Sequence, residues 1–369
     1  MRRSIRIGWW IAALTCTVGY GVAAQTLCDF WMPVSNIADA DLSFSYRFVN
    51  DAAPAGSGEN AGRLWGSYSK IYDSPGFGHS VALSTSVALS DFVPSAWQGT
   101  GAASYRYYIS REAPLFVYGG TVGSTDTNLP SPGLELRGGV GYGRLRDVTP
   151  LAEARRISAR LVRLGTIPRP LDSSALREVA SVIASRDDFE TTSDLVAAIE
   201  PGLEAAGGVE LDSGALLMIE QELENPGEQR FCGLIVQGGV GQELLDAHRE
   251  ARDVRYVMSI DGAYPPTPLN QLRVRSSLSS SLDVLADHTL LVEVTYDASL
   301  LKTAGVESKL SMYSVRAPGL PDWTTYTASA SFVVGTRRSS IIASVLLSRT
   351  LGIPGWTVDL SFSTAIDLL

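Results

Sequence analysis

Two long stretches of period-two alternation, a stretch of helical period between them, and a leader of export type together predict an all-β antiparallel barrel with a small helical insert. The strands number about 14 (12–16), and several run to about ten residues, the length a tilted strand needs to cross a bilayer. The expected divisions are a signal peptide at 1–24, a first half-barrel at 25–148, the insert at 149–228 and a second half-barrel at 229–369.

The leader has Arg2, Arg3 and Arg6 ahead of an apolar run from about Gly8 to Val22, and closes in Val22-Ala23-Ala24. Small residues of that kind precede signal-peptidase cleavage, here expected before Gln25. A lipoprotein leader is disfavoured, because neither Cys16 nor Cys28 has a Leu three places ahead of it.

In the first half, strands are expected at 41–50, 63–72, 79–91, 101–111, 114–122 and 132–145. Val81, Leu83, Thr85, Val87 and Leu89 share one face and Ala82, Ser84, Ser86 and Ala88 the other; Leu134, Leu136, Val140 and Tyr142 oppose Glu135 and Arg137. Successive strand side chains point to opposite sides, so each segment has an oily and a polar face. The second half repeats the pattern at 230–244, 253–264, 270–282, 287–298, 308–316, 324–335, 339–349 and 356–368. There Leu290, Val292, Val294 and Tyr296 oppose Glu293 and Thr295, and Val358, Leu360 and Phe362 oppose Asp359 and Ser361. The polar faces are rich in Ser, Thr, Ala and Gly, which suits a wet, partly filled lumen better than an outer surface of a soluble sandwich. Even strand parity requires 230–244 to be a strand despite its glycines, and places the insert on the same side as both ends of the barrel, the periplasmic side.

Between the halves the apolar period becomes helical: Ile157, Leu161 and Leu164; Leu176, Val179 and Ile183; Leu195, Val196 and Ile199; Leu216, Ile219 and Leu223. Thr149-Pro150 reads as N-cap and first helical residue, with Glu153 as a first-turn acid. Pro201 is expected to end or kink the third helix. The insert belongs in the periplasm or the lumen.

The net charge of −9, which includes the leader arginines, argues against nucleic acid as a partner. No Walker loop, HExxH, CxxC pair, GxSxG or dinucleotide fingerprint is present, and no cofactor or metal is expected. His79, His248 and His288 are read as structural or solvated; a catalytic role for one of them, as in a hydrolase, is the least favoured alternative. No catalytic residue is assigned and the chain is read as a non-enzyme. Cys28 and Cys232 outlast cleavage in an oxidising compartment, where they either pair or stay free.

Two groups of residues are candidates for function. By parity Arg47, Arg106, Glu135, Arg137, Arg273, Arg275, Glu293 and Asp359 face the lumen, where they either set a field across the path of a charged solute or pair to brace the interior. The repeated runs containing Gly138, Gly139 and Gly141, and Gly238, Gly239 and Gly241, fall on adjacent strands; they either thin the wall so that a helix of the insert nests on it, or mark strand curvature. Tyr and Trp, among them Tyr72, Tyr105, Tyr107, Tyr142, Tyr256, Tyr264, Trp323, Tyr326 and Trp356, cluster near strand ends, as at membrane boundaries.

In the leader, the long alternating strands and the closing segment Trp356-Thr357-Val358-Asp359-Leu360-Ser361-Phe362, the chain resembles bacterial outer-membrane β-barrel proteins in the broad, porin-like sense. That segment is similar to the terminal strand read by barrel-assembly machinery, although the sequence closes on Leu369 and not on an aromatic residue. The resemblance implies an outer-membrane location, with lipid and the assembly machinery as partners. The leading functional expectation is a passive channel for small solutes, plugged or gated by the insert. The alternative is a closed structural barrel whose helices dock a periplasmic protein or the cell wall.

Overall fold

The computed structural model describes residues 26–30, 34–47, 61–110, 114–224, 227–245, 254–282, 287–301, 304–317, 321–335 and 339–367. The expected signal peptide with its cleavage point, and His248, lie outside them.

Among the described residues, fourteen strands form the wall: β1 (Ser35–Arg47), β2 (Ala61–Asp73), β3 (Phe77–Ser90), β4 (Val93–Tyr108), β5 (Leu115–Asp126), β6 (Gly133–Asp147), β7 (Phe231–Leu245), β8 (Val254–Thr267), β9 (Asn270–Ser281), β10 (His288–Leu301), β11 (Ala304–Arg316), β12 (Trp323–Gly335), β13 (Ser339–Thr350) and β14 (Thr357–Asp367). Each is antiparallel to its sequence neighbours, and β14 pairs with β1, so the sheet closes on itself. Closure removes the two open edges that a sheet of this width would otherwise expose. All fourteen expected segments are strands, but several start earlier than the alternation shows. β4 begins at Val93, because Pro94, Gly99 and Gly101 blur its pattern, and a bulge near Ala88 and Leu89 shifts its register against β3.

The start of β1, the end of β14 and the insert all lie at one rim, the insert rim; the opposite end is the far rim. Cross-strand pairing fixes which side chains look outward. Tyr107 pairs with Phe77 and Val117, and Val140 pairs with Val117 and Gly238, so all share the outer face. The same bookkeeping puts Leu278, Val292, Leu310, Ala328, Val345 and Leu360 outside, as the alternation requires. Trp323 stands at the first position of β12, a strand end, where it pairs with Val315 on the inner face and its indole N–H donates to Thr325 Oγ1 at 2.9 Å.

The insert is four helices: α1 (Thr149–Leu164), α2 (Ser173–Ala184), α3 (Thr192–Gly207) and α4 (Ser213–Glu224). Ile157, Leu161, Val179, Ile183, Ile199, Leu203 and Ile219 form its own core, joined by Leu27 and Phe30 from ahead of β1. Asp172 caps α2 by accepting from the Ser174 and Ala175 amides, and Thr191 with Asp194 forms a capping box on α3. The start of α1 differs from expectation. Thr149 is already helical, its hydroxyl accepts from the Arg230 amide at 2.8 Å, and the first turn holds no acid. Pro201 sits inside α3, which continues to Gly207.

Candidate functional site: the barrel interior and its insert rim

Inward-facing charges cluster on β6 to β11, and they meet one another. Arg137 and Glu135 form a two-pronged pair at 2.9 Å for each contact. Arg275 reaches Asp261 at 3.2 Å and Arg273 reaches Asp297 at 3.8 Å. Lys309 meets Glu293 at 2.6 Å, and Arg255 lies 3.5 Å from Asp287 and 3.9 Å from Glu243. Of the expected lumen charges, Glu135, Arg137, Arg273, Arg275 and Glu293 are thus in ion pairs on the inner wall. Asp359 stands exposed on β14, and the Arg47 side chain lies outside the described ones. The acidic partners Asp261 and Asp297 and the base Lys309 escaped the sequence reading, although the period-two pattern that found Arg275 applies to them equally.

Arg106 belongs to a second, buried cluster near the insert rim. Tyr108, Phe116, Tyr118 and Ile235 project inward and pack together, with the Phe116 ring edge-on to Tyr108 at 5.6 Å. The Tyr108 hydroxyl donates to Asp73 at 3.0 Å, and the Arg144 guanidinium lies 3.8 Å over the Tyr108 ring. This cluster fills the β2–β7 side of the interior. The β12–β14 side presents Thr325, Thr327, Ser329, Ser331, Ser344 and Ser361 to the inside.

The ends of β6 and β7 leave the wall and cross the mouth at the insert rim. The Asp147 amide donates to Ser35 Oγ on β1 at 3.1 Å, although β6 and β1 are not neighbours in the ring. Arg144 donates to the Pro75 carbonyl in the β2–β3 turn at 2.7 Å. From β7, the Phe231 amide and carbonyl both bind the buried Gln271 amide of β9, at 2.9 and 3.0 Å, passing over β8. Two glycines make the bend: Gly143 at φ +111° and Gly233 at φ +135°. A Cβ at Gly143 would lie 1.8 Å from the Leu234 carbonyl oxygen, and one at Gly233 2.0 Å from that of Arg144.

The expected glycines have a different environment from the one a nesting helix would give. Gly139 and Gly239 lie against each other's backbone, Gly141 against the Phe116 ring and Gly241 against the Glu135 carboxylate; Gly138 and Gly238 share the outer face with Val240 and Val140. Their nearest neighbours are barrel residues, because the insert sits at the rim and not along the wall.

Arg230 fastens the insert to that rim. Its side chain is 1% exposed and donates to the carbonyls of Pro268 at 3.3 Å and Leu269 at 2.9 Å, to Ser299 Oγ at 2.9 Å and to Glu228 at 3.1 Å. From α1, Arg156 reaches the Pro268 carbonyl at 3.5 Å while pairing with Glu222 at 2.9 Å. Cys28 and Cys232 form a disulfide with Cα atoms 5.4 Å apart, tying the Leu27–Asp29 turn to β7. Burial pushes the Glu153 carboxyl of α1 up to about 7 against the opposing pull of its partner Arg186.

Of the three histidines, two lie among the described residues. His79 looks outward, stacked on Tyr72 with ring centroids 5.1 Å apart, and His288 opens β10. Among the described residues no group of three metal-ligating side chains converges.

No family model and no curated protein matches this chain. Solved structures similar to it include Wzi, an outer-membrane carbohydrate-binding β-barrel involved in group 1 capsule assembly in Escherichia coli, at 6% identity over 98% of this chain and 86% of that one, TM-score 0.32. A deltaS2 mutant of the monoaromatic hydrocarbon channel TodX aligns at 9% identity over 91% and 80%, TM-score 0.33. A triple mutant of the Rhodopseudomonas blastica porin aligns at 9% identity over 90% and 100%, TM-score 0.28.

Proposed function

We propose that this protein is an outer-membrane β-barrel acting as a passive channel for small polar solutes, with its periplasmic mouth covered by the β6–β7 ribbon and the helical insert. The observation that carries the reading is the outer surface. Aliphatic side chains such as Leu83, Val140, Met258, Leu310, Val345 and Leu360 stand exposed around the barrel. Water would leave so large an apolar surface unburied at great cost, whereas lipid solvates it. Aromatic residues bound the belt: Tyr72, Phe77, Tyr105, Tyr107, Tyr142 and Tyr264 toward the insert rim, and Trp97, Tyr256, Tyr326 and Trp356 toward the far rim. From Trp97 to Tyr107 is about ten residues, which at roughly 3.3 Å each and a tilt of about 40° spans about 25 Å, the height of a lipid-facing band.

The test is reconstitution. The protein should float with vesicles and conduct in a planar bilayer, and deletion of 149–227 should raise conductance. A protein that floats but conducts neither before nor after deletion is not a channel. That outcome favours the second reading, a closed docking barrel, for which the paired interior charges and the Phe116 cluster speak. In that case the full-length protein, and not the deletion, should retain a periplasmic protein or cell-wall fragments.

A further inference from the structure

Toward the far rim the inner wall carries aromatic residues that a lipid-facing belt does not account for. Trp65 pairs with Ser86, Ser86 with Gln98 and Gln98 with Asp126, so all four lie in one row. Gln98 shares its face of β4 with the inward Tyr108, which makes the row an inner one. The Trp65 side chain is nonetheless 38% exposed. Farther round the ring Tyr313 and Trp323, also on the inner face, are 44% and 54% exposed. An indole turned to a wet interior leaves a large apolar face unburied, and a solute with an apolar face of its own would cover it.

Beside Trp65, β4 and β5 enclose a depression of about 260 Å³. Gln98, Thr100, Ser124 and Asp126 line it from inner-facing positions, and Asn128 and Leu129 close it toward the far rim. Asp126 Oδ1 accepts the Asn128 backbone amide at 2.7 Å and the Asn128 side-chain Nδ2 at 3.0 Å, which fixes a carboxamide beside a carboxylate. On the Trp65 side, the Ser84 and Thr100 hydroxyls share a hydrogen bond at 2.7 Å. The lining thus offers hydroxyls and carboxamides, which both donate and accept, together with one carboxylate. Among the described residues lining it, Asp126 alone carries charge, so no Lys or Arg is present to anchor an anion. The charged ladder of the barrel lies on β6 to β11, where its members pair with one another.

We propose that this part of the outer mouth is a binding subsite for a neutral disaccharide. A pyranose ring has a rim of hydroxyls that donate and accept, and faces of C–H groups that are apolar. One ring sits in the depression with its hydroxyls on Gln98, Thr100, Asp126 and Asn128, and the next lays its C–H face on the Trp65 indole. Trp65 and Gln98 are two strand spacings apart, about 10 Å, which is about the length of a disaccharide. Mixed donors and acceptors with an apolar platform favour such a solute over a charged one of the same size. The inference rests on the channel reading and names the class of solute that enters.

The experiment titrates the full-length protein in detergent micelles with maltose, cellobiose and lactose, and separately with glucuronate and spermidine, reading tryptophan fluorescence. At least one neutral disaccharide should give a saturable change, and Trp65→Phe should remove most of it. Gln98→Leu with Thr100→Val should weaken binding about tenfold or more, while Thr327→Val, on the inner face of β12, leaves it unchanged. Asn128→Ala, in an exposed turn that leaves every strand intact, should weaken it in the same direction and serves if the double variant does not fold. The shift in gel mobility on heating that folded barrels show checks each protein first. A folded protein with no saturable response to any of the three sugars overturns the subsite. Saturation by glucuronate or spermidine alone does the same, and so does unchanged affinity in the folded pocket variants. Binding in micelles needs no conduction, so the two readings separate: a protein that conducts without binding sugar loses only the subsite, and one that binds sugar without conducting loses only the channel.

Discussion

Glu153 shows how one residue couples the insert to pH. Its carboxyl is buried in α1 beside Arg186, and loss of hydration outweighs that partner, raising it from an ordinary 4.5 to about 7. The folded insert thus holds a proton that the unfolded chain releases between those two values. Stability contributed by this group is present below about 4.5, is lost as pH rises toward 7, and changes little above that. Glu153→Gln should abolish this slope and leave the variant the more stable form at pH 8, measured as the helical circular-dichroism melt at pH 5 and pH 8. Arg230 is the opposite case, a buried charge with every contact satisfied. Arg230→Met strands the carbonyls of Pro268 and Leu269 without their donor and should cost about 3 kcal/mol. Limited proteolysis near 225–230 would register the loosened insert, and unchanged cleavage would show that Arg230 is not the fastening. Neither residue's role was legible in the sequence. Glu153 read as a first-turn acid, and Arg230 lay in a stretch named only as the start of a strand, because its partners Pro268, Leu269 and Ser299 are brought to it only by barrel closure.

At the scale of the element, the period-two signal was nearly sufficient. It located all fourteen strands because side-chain parity in a closed wall has only two environments, oily and wet, with little tertiary override between them. It failed where glycine and proline erase parity, as at the start of β4 and of β11. The same signal marked the Gly139 and Gly239 region but could not say what approached it. The answer is the neighbouring strand's backbone, with the bend itself placed a few residues away at Gly143 and Gly233. That bend is testable. Gly143→Ala must place a Cβ against the Leu234 carbonyl and hold an unfavourable positive φ, costing about 1–2 kcal/mol from the backbone alone. The β6–β7 ribbon should then release from Ser35 and Pro75, and single-channel conductance should rise. Gly119→Ala, on the outer face, where the added Cβ meets only the Arg137 carbonyl oxygen at 4.0 Å, serves as the comparison and should leave conductance unchanged. Equal conductance in both variants would mean that the ribbon does not obstruct the mouth.

The whole molecule raises the question of which solvent its outer face meets, and a single substitution can ask it. Leu83 lies on the outer face near the middle of β3, between the levels of Phe77 and Trp97, 51% exposed. On a water-facing surface, Leu83→Arg would change stability by no more than about 0.5 kcal/mol, since no hydrogen bond is lost and the long side chain can still lie over Gly101. At the bilayer midplane the same arginine costs about 2–4 kcal/mol, because the guanidinium must be dragged into hydrocarbon or snorkel to reach headgroups. Ser329→Arg supplies the matched control: it adds the same charge from the inner face of β12, where a wet lumen hydrates it. Denaturant unfolding in lipid vesicles should therefore separate the two variants by about 2 kcal/mol or more, with Leu83→Arg the weaker. The order cannot come from helix or strand propensity, since both sites lie in strands and both receive the same side chain. If the two variants unfold alike, the apolar belt does not face lipid, and the fourteen-stranded wall must be covered in some other way.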